Sequence, residues 1–429
     1  MTARTPLRRV AAAALGLALP ALLTLWSGQA EAVPSYARQT GQDCVACHIG
    51  GFGPQLTPFG IKFKLGGYVD SDGKDGKIPL SGMVVADYSR WRDESGKHTD
   101  KTDLAEASLF LAGKFTDHIG SFVQVTHDGV EHHTSIDQAD IRYARTLNVA
   151  GQDALFGLSL NNNPTVQDPF NTLAVWGFPY TDSPRGNAVG AEFAGIGGTE
   201  LKVLGVNAYT VLHDNFYGEL GLYNSLSRGT QSRLGLGSDD TDHMRNAPYW
   251  RLAYMVDQRT QAWNVGVFGY NGTMKDRSSG DISNRFKDLG IDGSYQFLGN
   301  RQHIVTVNGS YIRERTITPE GGEDVRNTVK DARLAASYHF MNTYGATLGY
   351  FKAQSANNES GNRGFIYQLD WTPWGKESSW MAPWANVRVG LQYVAYKKYI
   401  DFDEDTETAT VVAKPSDKNT LNLFVWASF

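Results

Sequence analysis

The sequence predicts an all-β fold, an antiparallel β-barrel of about 16 strands with a short segment before it. Three observations lead to this class. Polar and apolar residues alternate in many segments, the connections between them alternate between long and short, and the chain ends on an aromatic residue. Alternating strands average to a polar composition, in keeping with a mean hydropathy of -0.36. We therefore expect a barrel that spans a bacterial outer membrane and contacts its lipid.

The N-terminus, residues 1–32, is predicted to be a secretory signal peptide. Arg8 and Arg9 belong to a positive start, Val10–Leu25 is nearly all apolar, and Ala30-Glu31-Ala32 supplies a small-residue cleavage site. The chain carries a formal net charge of -5 and has no basic stripe. Nucleic acid is therefore not an expected partner.

The barrel is predicted to occupy residues 78–429. Its strands are expected to begin near residues 80, 104, 119, 136, 152, 200, 215, 248, 261, 285, 301, 328, 343, 362, 384 and 418. An even number of strands places both ends of the barrel on the periplasmic side. A barrel of 16 strands is wide enough to enclose an aqueous lumen.

The connections and the C-terminus favour this barrel over a soluble β-sandwich, which would also alternate. The long connections are expected at residues 94–103, 162–198, 225–247, 273–284, 315–327 and 401–417. The short ones are expected at residues 116–118, 214–215, 258–260, 300–301 and 342–343. Short periplasmic turns and long outer loops are typical of outer-membrane barrels. The last strand is apolar on one face from Leu421 to the terminal Phe429, which is typical of the same class.

A five-residue motif, Cys44-Val45-Ala46-Cys47-His48, predicts one covalent c-type haem. Two thiols at this spacing reach both vinyl groups of a haem, and the adjacent imidazole reaches its iron. The same residues could form a redox dithiol or part of a zinc site. The chain is expected to be exported, it has only two cysteines, and the next histidine is His98. These facts favour haem, with Cys44 and Cys47 as attachment points and His48 as a ligand.

The haem-bearing segment, residues 33–70, is too short to bury a haem and a core of its own. We expect it to fold into the periplasmic mouth of the barrel as a plug, joined to the barrel by a polar linker at residues 71–77. A second axial ligand would then come from the lumen. Met83, near the start of the first strand, is the preferred candidate, because thioether ligation raises the haem potential. His339 and an open sixth position are the alternatives.

Charged residues of both signs are expected on the lumen face. They are Asp87, Glu106, Asp140, Asp288, Asp292, Asp331, Arg142, Arg333 and Arg388. Ordinary porins also carry mixed charge inside, so these residues alone do not indicate a site.

The N-terminal motifs resemble the fused monohaem cytochrome–porins of the bacterial outer membrane, some of which are iron(II) oxidases. The resemblance rests on Ala37-Arg38-Gln39-Thr40-Gly41, the cysteine motif, Leu56-Thr57-Pro58-Phe59-Gly60, Phe63-Lys64-Leu65 and Gly67-Tyr68. It implies that the haem takes electrons from extracellular Fe(II) and passes them to periplasmic c-type cytochromes. The segment Ile49–Gly53 is longer than the corresponding spacing in the iron-oxidising members.

Three functions are compatible with this reading of the sequence. The first is electron transfer from Fe(II), or a similar outside donor, to a periplasmic carrier. The second is a porin whose haem plug acts as a redox gate or sensor. The third is haem peroxidase chemistry, which would require an open sixth position and a distal acid–base residue.

Overall fold

The structure of the chain is a computed structural model. It describes residues 33–74, 76–93, 96–177, 179–187, 189–236, 242–276, 283–320, 323–355, 361–403 and 408–429. The predicted signal peptide, residues 1–32, lies outside the described residues.

Eighteen β-strands are present among the described residues. They are β1 (Leu80–Arg92), β2 (His98–Lys114), β3 (Ile119–Asp128), β4 (His133–Val149), β5 (Gln152–Asn161), β6 (Val203–Leu212), β7 (Phe216–Ser225), β8 (Asp242–Met244), β9 (Ala247–Asp257), β10 (Gln261–Asp276), β11 (Ser283–Phe297), β12 (His303–Glu320), β13 (Glu323–Phe340), β14 (Tyr344–Gln354), β15 (Gly361–Trp371), β16 (Asn386–Asp403), β17 (Thr408–Val411) and β18 (Thr420–Ser428). Strands β8 and β17 are short and pair only with the outer ends of β10 and β16. The other sixteen form the barrel wall.

The first and last strands close the barrel. Strands β1 and β18 pair antiparallel from Met83 opposite Ser428 to Arg90 opposite Leu421. Two backbone hydrogen bonds between Gly82 and Phe429 extend this ladder to the last residue of the chain. Closure pairs the edges of the first and last strands with each other, as a sheet in lipid requires. The predicted fold class, an antiparallel barrel of 16 strands, is confirmed.

The wall has polar side chains inside and apolar side chains outside. On β11, Asp288 and Asp292 are buried toward the lumen, whereas Leu289 and Ile291 between them are 56% and 47% exposed on the outer surface. Apolar side chains of this size gain roughly 1.5–3 kcal/mol each on leaving water. This distribution, the reverse of that in a soluble protein, is that of a membrane-spanning barrel.

A ring of exposed aromatic side chains surrounds the barrel near its short turns. Its members are Phe115, Tyr143, Phe216, Trp263, Tyr295, Phe297, Tyr338, Tyr344, Trp371 and Phe429. Such girdles lie at the boundary between lipid and water. The short-turn end, which also holds both ends of the barrel sequence, is therefore the periplasmic mouth.

The strand starts predicted from the sequence agree closely with the structure. The largest differences are at β2, which begins at His98 instead of residue 104, and at β13, which begins at Glu323 instead of residue 328. The expected loop at residues 315–327 is therefore wrong for most of its length. Strands β12 and β13 remain paired there, as in Thr316 opposite Asn327, so the hairpin that they form is longer than the sequence predicted.

Four short helices complete the described elements. They are α1 (Pro34–Thr40), α2 (Cys44–Cys47), α3 (Pro58–Leu65) and α4 (Arg228–Arg233), with 3-10 turns at Ile49–Gly51, Ala174–Trp176 and Pro415–Lys418. None of the described helices is long and apolar enough to cross a membrane.

Candidate haem-binding site

Residues 33–70, which we call the plug, lie inside the periplasmic mouth. Hydrogen bonds join the plug to several strands of the wall. The Tyr36 hydroxyl donates to the Ser121 carbonyl at 2.6 Å, and the Gln55 amide donates to the Thr306 hydroxyl at 2.9 Å. The Gly51 carbonyl accepts from the Asn386 amide at 2.7 Å. Strands β3, β12 and β16 thus hold the plug from different sides of the lumen.

The cysteine motif forms one helical turn followed by a sharp reversal of the chain. Helix α2 ends at Cys47, and the His48 amide donates to the Cys44 carbonyl at 2.9 Å. Gly50, Gly51 and Gly53 then adopt positive φ angles of 71°, 67° and 81°. Other residues rarely adopt this conformation. These glycines are therefore needed to reverse the chain directly after His48.

The returning chain pairs with the cysteine motif and starts the next helix. The Ile49 amide donates to the Gln55 carbonyl at 3.0 Å, and the Thr57 amide donates to the Cys47 carbonyl at 2.9 Å. Thr57 then caps α3, since its hydroxyl accepts from the Gly60 amide at 3.2 Å. The position of His48 is consequently fixed by both strands of a short hairpin.

Cys44 and Cys47 lie one helical turn apart, and neither forms a disulfide. Residues at this spacing share one face of a helix. Burial raises the pKa of Cys44 to about 11 and that of Cys47 to about 12. A redox dithiol has a lowered thiol pKa, so these values disfavour that alternative. Among the described residues, no group of three His, Cys, Asp or Glu side chains is arranged to hold a metal ion.

His48 is half-buried, and its Nδ1 atom is buried without a hydrogen-bond partner. Burial lowers the pKa of its imidazole to about 4. The ring is therefore neutral at physiological pH, the form that binds a metal. Two thiols on one helical face beside a neutral imidazole fit the requirements of covalent haem attachment.

The two candidates for a second ligand lie in different surroundings. Met83 is 6% exposed and packs in an apolar cluster with Tyr36, Phe110 and Trp426. None of Cys44, Cys47 and His48 belongs to that cluster. His339 is 2% exposed at the periplasmic end of β13, and its ring contacts the backbone at Gly50.

The described part of the long connection between β5 and β6, residues 162–177, 179–187 and 189–202, folds into the lumen instead of outward. We call it the inner loop. The Ala194 and Gly195 amides donate to the Glu314 carboxylate, and the Ile196 amide donates to Asp288. The sequence predicted a long outer loop here. It did not predict the inward fold, because acceptors more than 90 positions away in the chain hold the loop.

One buried lysine of the plug, Lys64, is hydrogen-bonded to the inner loop. The Lys64 ammonium donates to the carbonyls of Val166 and Asp168 and to the Asn171 amide oxygen, each at 2.7 Å. It also lies 4.7 Å from the centre of the Trp176 ring. The amide of Asn171 returns a hydrogen bond to the Pro54 carbonyl at 2.8 Å.

Two buried arginines form ion pairs with lumen aspartates near the inner loop. Arg142 pairs with Asp140 at 2.7 Å and donates to the Lys64 and Gln167 carbonyls. Arg251 pairs with Asp292 at 2.7 Å. Sequence reasoning placed Arg142, Asp140 and Asp292 on the lumen face but missed Arg251. The alternation of residues on β9 could have identified Arg251 as a lumen residue, since the adjacent Leu252 faces outward.

The remaining predicted lumen charges are distributed around the wall. Arg333 pairs with Asp331 at 3.0 Å, and Arg388 pairs with Asp370 at 3.2 Å. Asp87 and Asp288 are buried toward the lumen, and Glu106 is half-buried. Beside Asp331 and Arg333, a cavity of about 560 Å³ separates the inner loop from strands β12–β15.

No protein-family model and no curated protein matches this chain. Solved outer-membrane proteins resemble its structure. An anion-selective porin from Comamonas acidovorans is 10% identical with a TM-score of 0.48, over 81% of this chain and 98% of that chain. The outer membrane channel DcaP of Acinetobacter baumannii is 13% identical with a TM-score of 0.45, over 82% and 96%. OmpT of Vibrio cholerae is 12% identical with a TM-score of 0.44, over 82% and 96%. The likeness concerns the β-barrel fold alone.

Proposed function

We propose that this chain is an outer-membrane electron-transfer cytochrome–porin. Cys44 and Cys47 attach one haem c, and His48 is its first axial ligand; Met83 as the second ligand remains a prediction. The bound haem would accept one electron at a time from extracellular Fe(II), or a similar donor, and reduce a periplasmic c-type cytochrome. The barrel carries this site in the membrane with the plug at the periplasmic mouth.

The observation that supports the proposal most directly is the placement of the cysteine motif. Its two thiols are unpaired and on one helical face, inside the lumen of a membrane-spanning barrel. A passive channel needs no redox cofactor at this position. The plug, held by wall strands and by the inner loop, brings the motif to the side of the membrane where soluble cytochromes are found.

Haem attachment is tested first. The full chain is produced in a bacterium with a c-type haem maturation system, purified from membranes, and analysed by intact mass and by its pyridine haemochrome spectrum. We expect one covalent haem per chain and none in a variant carrying both Cys44→Ala and Cys47→Ala. Gln42→Ala, at an exposed position in the same segment, is the control and should keep the haem. A wild-type chain without covalent haem would refute the proposal.

Electron transfer is tested on the haem-loaded protein. Stopped-flow mixing of the ferric protein with Fe(II) should reduce the haem within seconds, and added ferric cytochrome c should then reoxidise it. Dithionite serves as the positive control for a reducible haem. If dithionite reduces the haem but Fe(II) does not, iron is not the donor, and quinols or reduced sulfur compounds are tested in the same way.

A porin gated by the plug is the second candidate. The observation in its favour is that the plug and the inner loop both occupy the lumen and are bonded to each other through Lys64. Under this function, planar-bilayer recordings would show open pores whose conductance changes between the ferric and ferrous protein. Electron transfer without measurable pores would reject it.

A further inference from the structure

We propose that the cavity between the inner loop and strands β12–β15 is a binding site for a small organic carboxylate with an apolar body. The site is separate from the haem motif, since none of Cys44, Cys47 and His48 is among the described residues that line it. The inference therefore goes beyond the proposed electron transfer. It rests on the size of the cavity, on the side chains of its two walls and on the placement of Arg333.

The cavity has the size and the lining of a small-molecule site. Its volume is about 560 Å³. Sites for small organic ligands typically measure about 300–1,000 Å³ and are lined mainly by apolar side chains. Here Val189, Ala191 and Phe193 line the cavity from the inner loop, and Ala335 and Ile366 line it from β13 and β15. The apolar body of a ligand would be sheltered from water between these walls.

The inner loop is fixed on its side of the cavity. The Ala191 amide donates to the Asp331 carboxylate at 2.8 Å. The Gly190 amide donates to the Asn362 side chain at 3.1 Å, and the Asn362 amide returns a hydrogen bond to the Gly190 carbonyl at 3.0 Å. These bonds join the loop to β13 and β15. The two walls are thus already in place before a ligand binds, which lowers the entropic cost of binding.

Arg333 brings a positive charge to the cavity. Its Nε atom donates to Asp331 at 3.0 Å and its Nη2 atom donates to the Val189 carbonyl at 3.1 Å, which leaves Nη1 for a ligand. The Arg333 side chain is 30% exposed, whereas that of Asp331 is 3% exposed. The guanidinium is therefore the accessible partner of this pair. Its hydrogen bonds to carboxylates are among the strongest in proteins.

Two further polar side chains lie beside Arg333 on the same wall. Ser310 is directly opposite Arg333 in the pairing of β12 with β13, and Asn308 is opposite Ala335. Side chains in such positions are about 4.5–5.5 Å apart. Within the described part of the chain, the side chains of Ser310 and Asn308 form no hydrogen bond. A hydroxyl and an amide can donate to the second oxygen of a carboxylate bound by Arg333.

The other charged residues that line the cavity belong to the inner loop and do not oppose a carboxylate. Glu192 and Lys202 carry opposite charges. Burial raises the pKa of Glu200 to about 8, so this carboxyl is mainly uncharged at pH 7. The sign of charge that the cavity favours is therefore determined at Arg333, and we expect a carboxylate to bind better than an amine.

The test compares probes that share one apolar body and differ in their charge. Benzoate, benzyl alcohol and benzylammonium are titrated at pH 7 into the purified full chain, held in amphipol, and binding is measured by calorimetry with amphipol alone as the blank. Acetate is the probe that lacks the apolar body. We expect benzoate to bind at least about tenfold more tightly than benzylammonium or acetate, since one hydrogen bond to a charged group accounts for such a factor.

Variants of the lining assign the binding to this cavity. Arg333→Gln should weaken benzoate at least about tenfold and abolish its preference over benzylammonium. Ser310→Ala, which breaks no bond to the inner loop, should weaken benzoate but not benzylammonium. Ala335→Phe narrows the cavity and should weaken all three aromatic probes. The control is Arg388→Gln, which removes another lumen arginine paired with an aspartate, outside this cavity, and should leave binding unchanged.

Two results would overturn the site. One is benzoate binding no tighter than that of benzylammonium or acetate. The other is benzoate binding that neither Arg333→Gln nor Ser310→Ala weakens. The haem content of the same samples, from the pyridine haemochrome spectrum, tests the proposed function separately. Benzoate binding without covalent haem would refute electron transfer alone, and covalent haem without benzoate binding would refute this site alone.

Discussion

On two sides of the periplasmic mouth, the side chains that face the plug differ in how fully they are hydrogen-bonded. On one side, which we call the clamp, Lys64 and Arg142 bind the plug to the inner loop and to β4. All three ammonium protons of Lys64 have acceptors at 2.7 Å. On the other side, which we call the His339 pocket, Ser337, His339 and Arg388 face the plug with polar atoms that lack partners.

The difference separates side chains that bind the plug through hydrogen bonds from side chains that only pack against it. The clamp is a structural contact, because its hydrogen bonds are internal to the chain and need nothing else. The His339 pocket makes fewer hydrogen bonds within the chain, and it adjoins the segment that follows the haem motif. We therefore expect substitutions in the clamp to lower stability in the absence of haem. Substitutions in the pocket that remove only an unpartnered polar atom should change stability little.

The largest effect is expected from breaking the clamp at Arg142. Arg142→Met leaves the buried Asp140 carboxylate without its cation, and removal of one partner of a buried ion pair costs about 3–5 kcal/mol. We expect a loss of this size in the free energy of opening of the plug, measured by hydrogen exchange of residues 58–68. Arg285→Met breaks an exposed pair with Asp324 and should cost less than about 1 kcal/mol. Equal effects of the two substitutions would show that the clamp does not hold the plug.

A second effect concerns pH and the buried Lys64. Burial lowers the pKa of Lys64 to about 7, whereas the ordinary value is 10.5. Above pH 7 the undocked plug therefore binds more protons than the docked plug, and docking should strengthen as pH rises from 7 to 9. Below pH 7 Lys64 is protonated in both the docked and the undocked plug, so it does not make docking depend on pH. Hydrogen exchange of the plug, corrected for the intrinsic rate, measures this change.

Lys64→Met is the control for the pH experiment. Without the amine, the strengthening of docking between pH 7 and pH 9 should disappear. The pKa of Cys44 and of Cys47 is raised above the ordinary value of 9.0, so these thiols act in the opposite direction and only from about pH 9 upward. A slope that persists in Lys64→Met would exclude Lys64 as its origin.

The sequence predicted the barrel well because each strand carries its own local signal. The alternation of Asp288, Leu289, Ile291 and Asp292 shows which face is inside without knowledge of any neighbour. The same alternation placed Arg142, Asp140 and His339 in the lumen. The C-terminal strand and the short turns are equally local features, and their positions were confirmed.

The arrangement inside the barrel could not be predicted in the same way. Glu314 holds amides of the inner loop that lie about 120 positions earlier in the chain. Lys64 holds carbonyls more than 100 positions later. Periodicity gives the face on which a residue lies but not its partner across a lumen. For that reason the inward fold of the inner loop, the role of Lys64 and the contact between His339 and Gly50 emerged only from the structure.

The smallest expected effect compares two buried serines, one on each side of the mouth. The Ser159 hydroxyl donates to the Asp140 carboxylate of the clamp at 2.8 Å, whereas the Ser337 hydroxyl in the His339 pocket has no partner. In the haem-free background of Cys44→Ala and Cys47→Ala, Ser159→Ala should cost about 1.5–3 kcal/mol, because it removes a hydrogen bond to a charged group.

Ser337→Ala in the same background should change stability by close to zero, since it removes a hydroxyl that bonds to nothing in the chain. Urea unfolding of the barrel in detergent micelles, followed by tryptophan fluorescence, compares the two variants directly. The pair is matched in chemistry and in burial, as Ser159 is 1% and Ser337 is 3% exposed. Equal losses would mean that Ser337 has a partner within the folded chain. The His339 pocket would then be complete by itself, and its difference from the clamp would disappear.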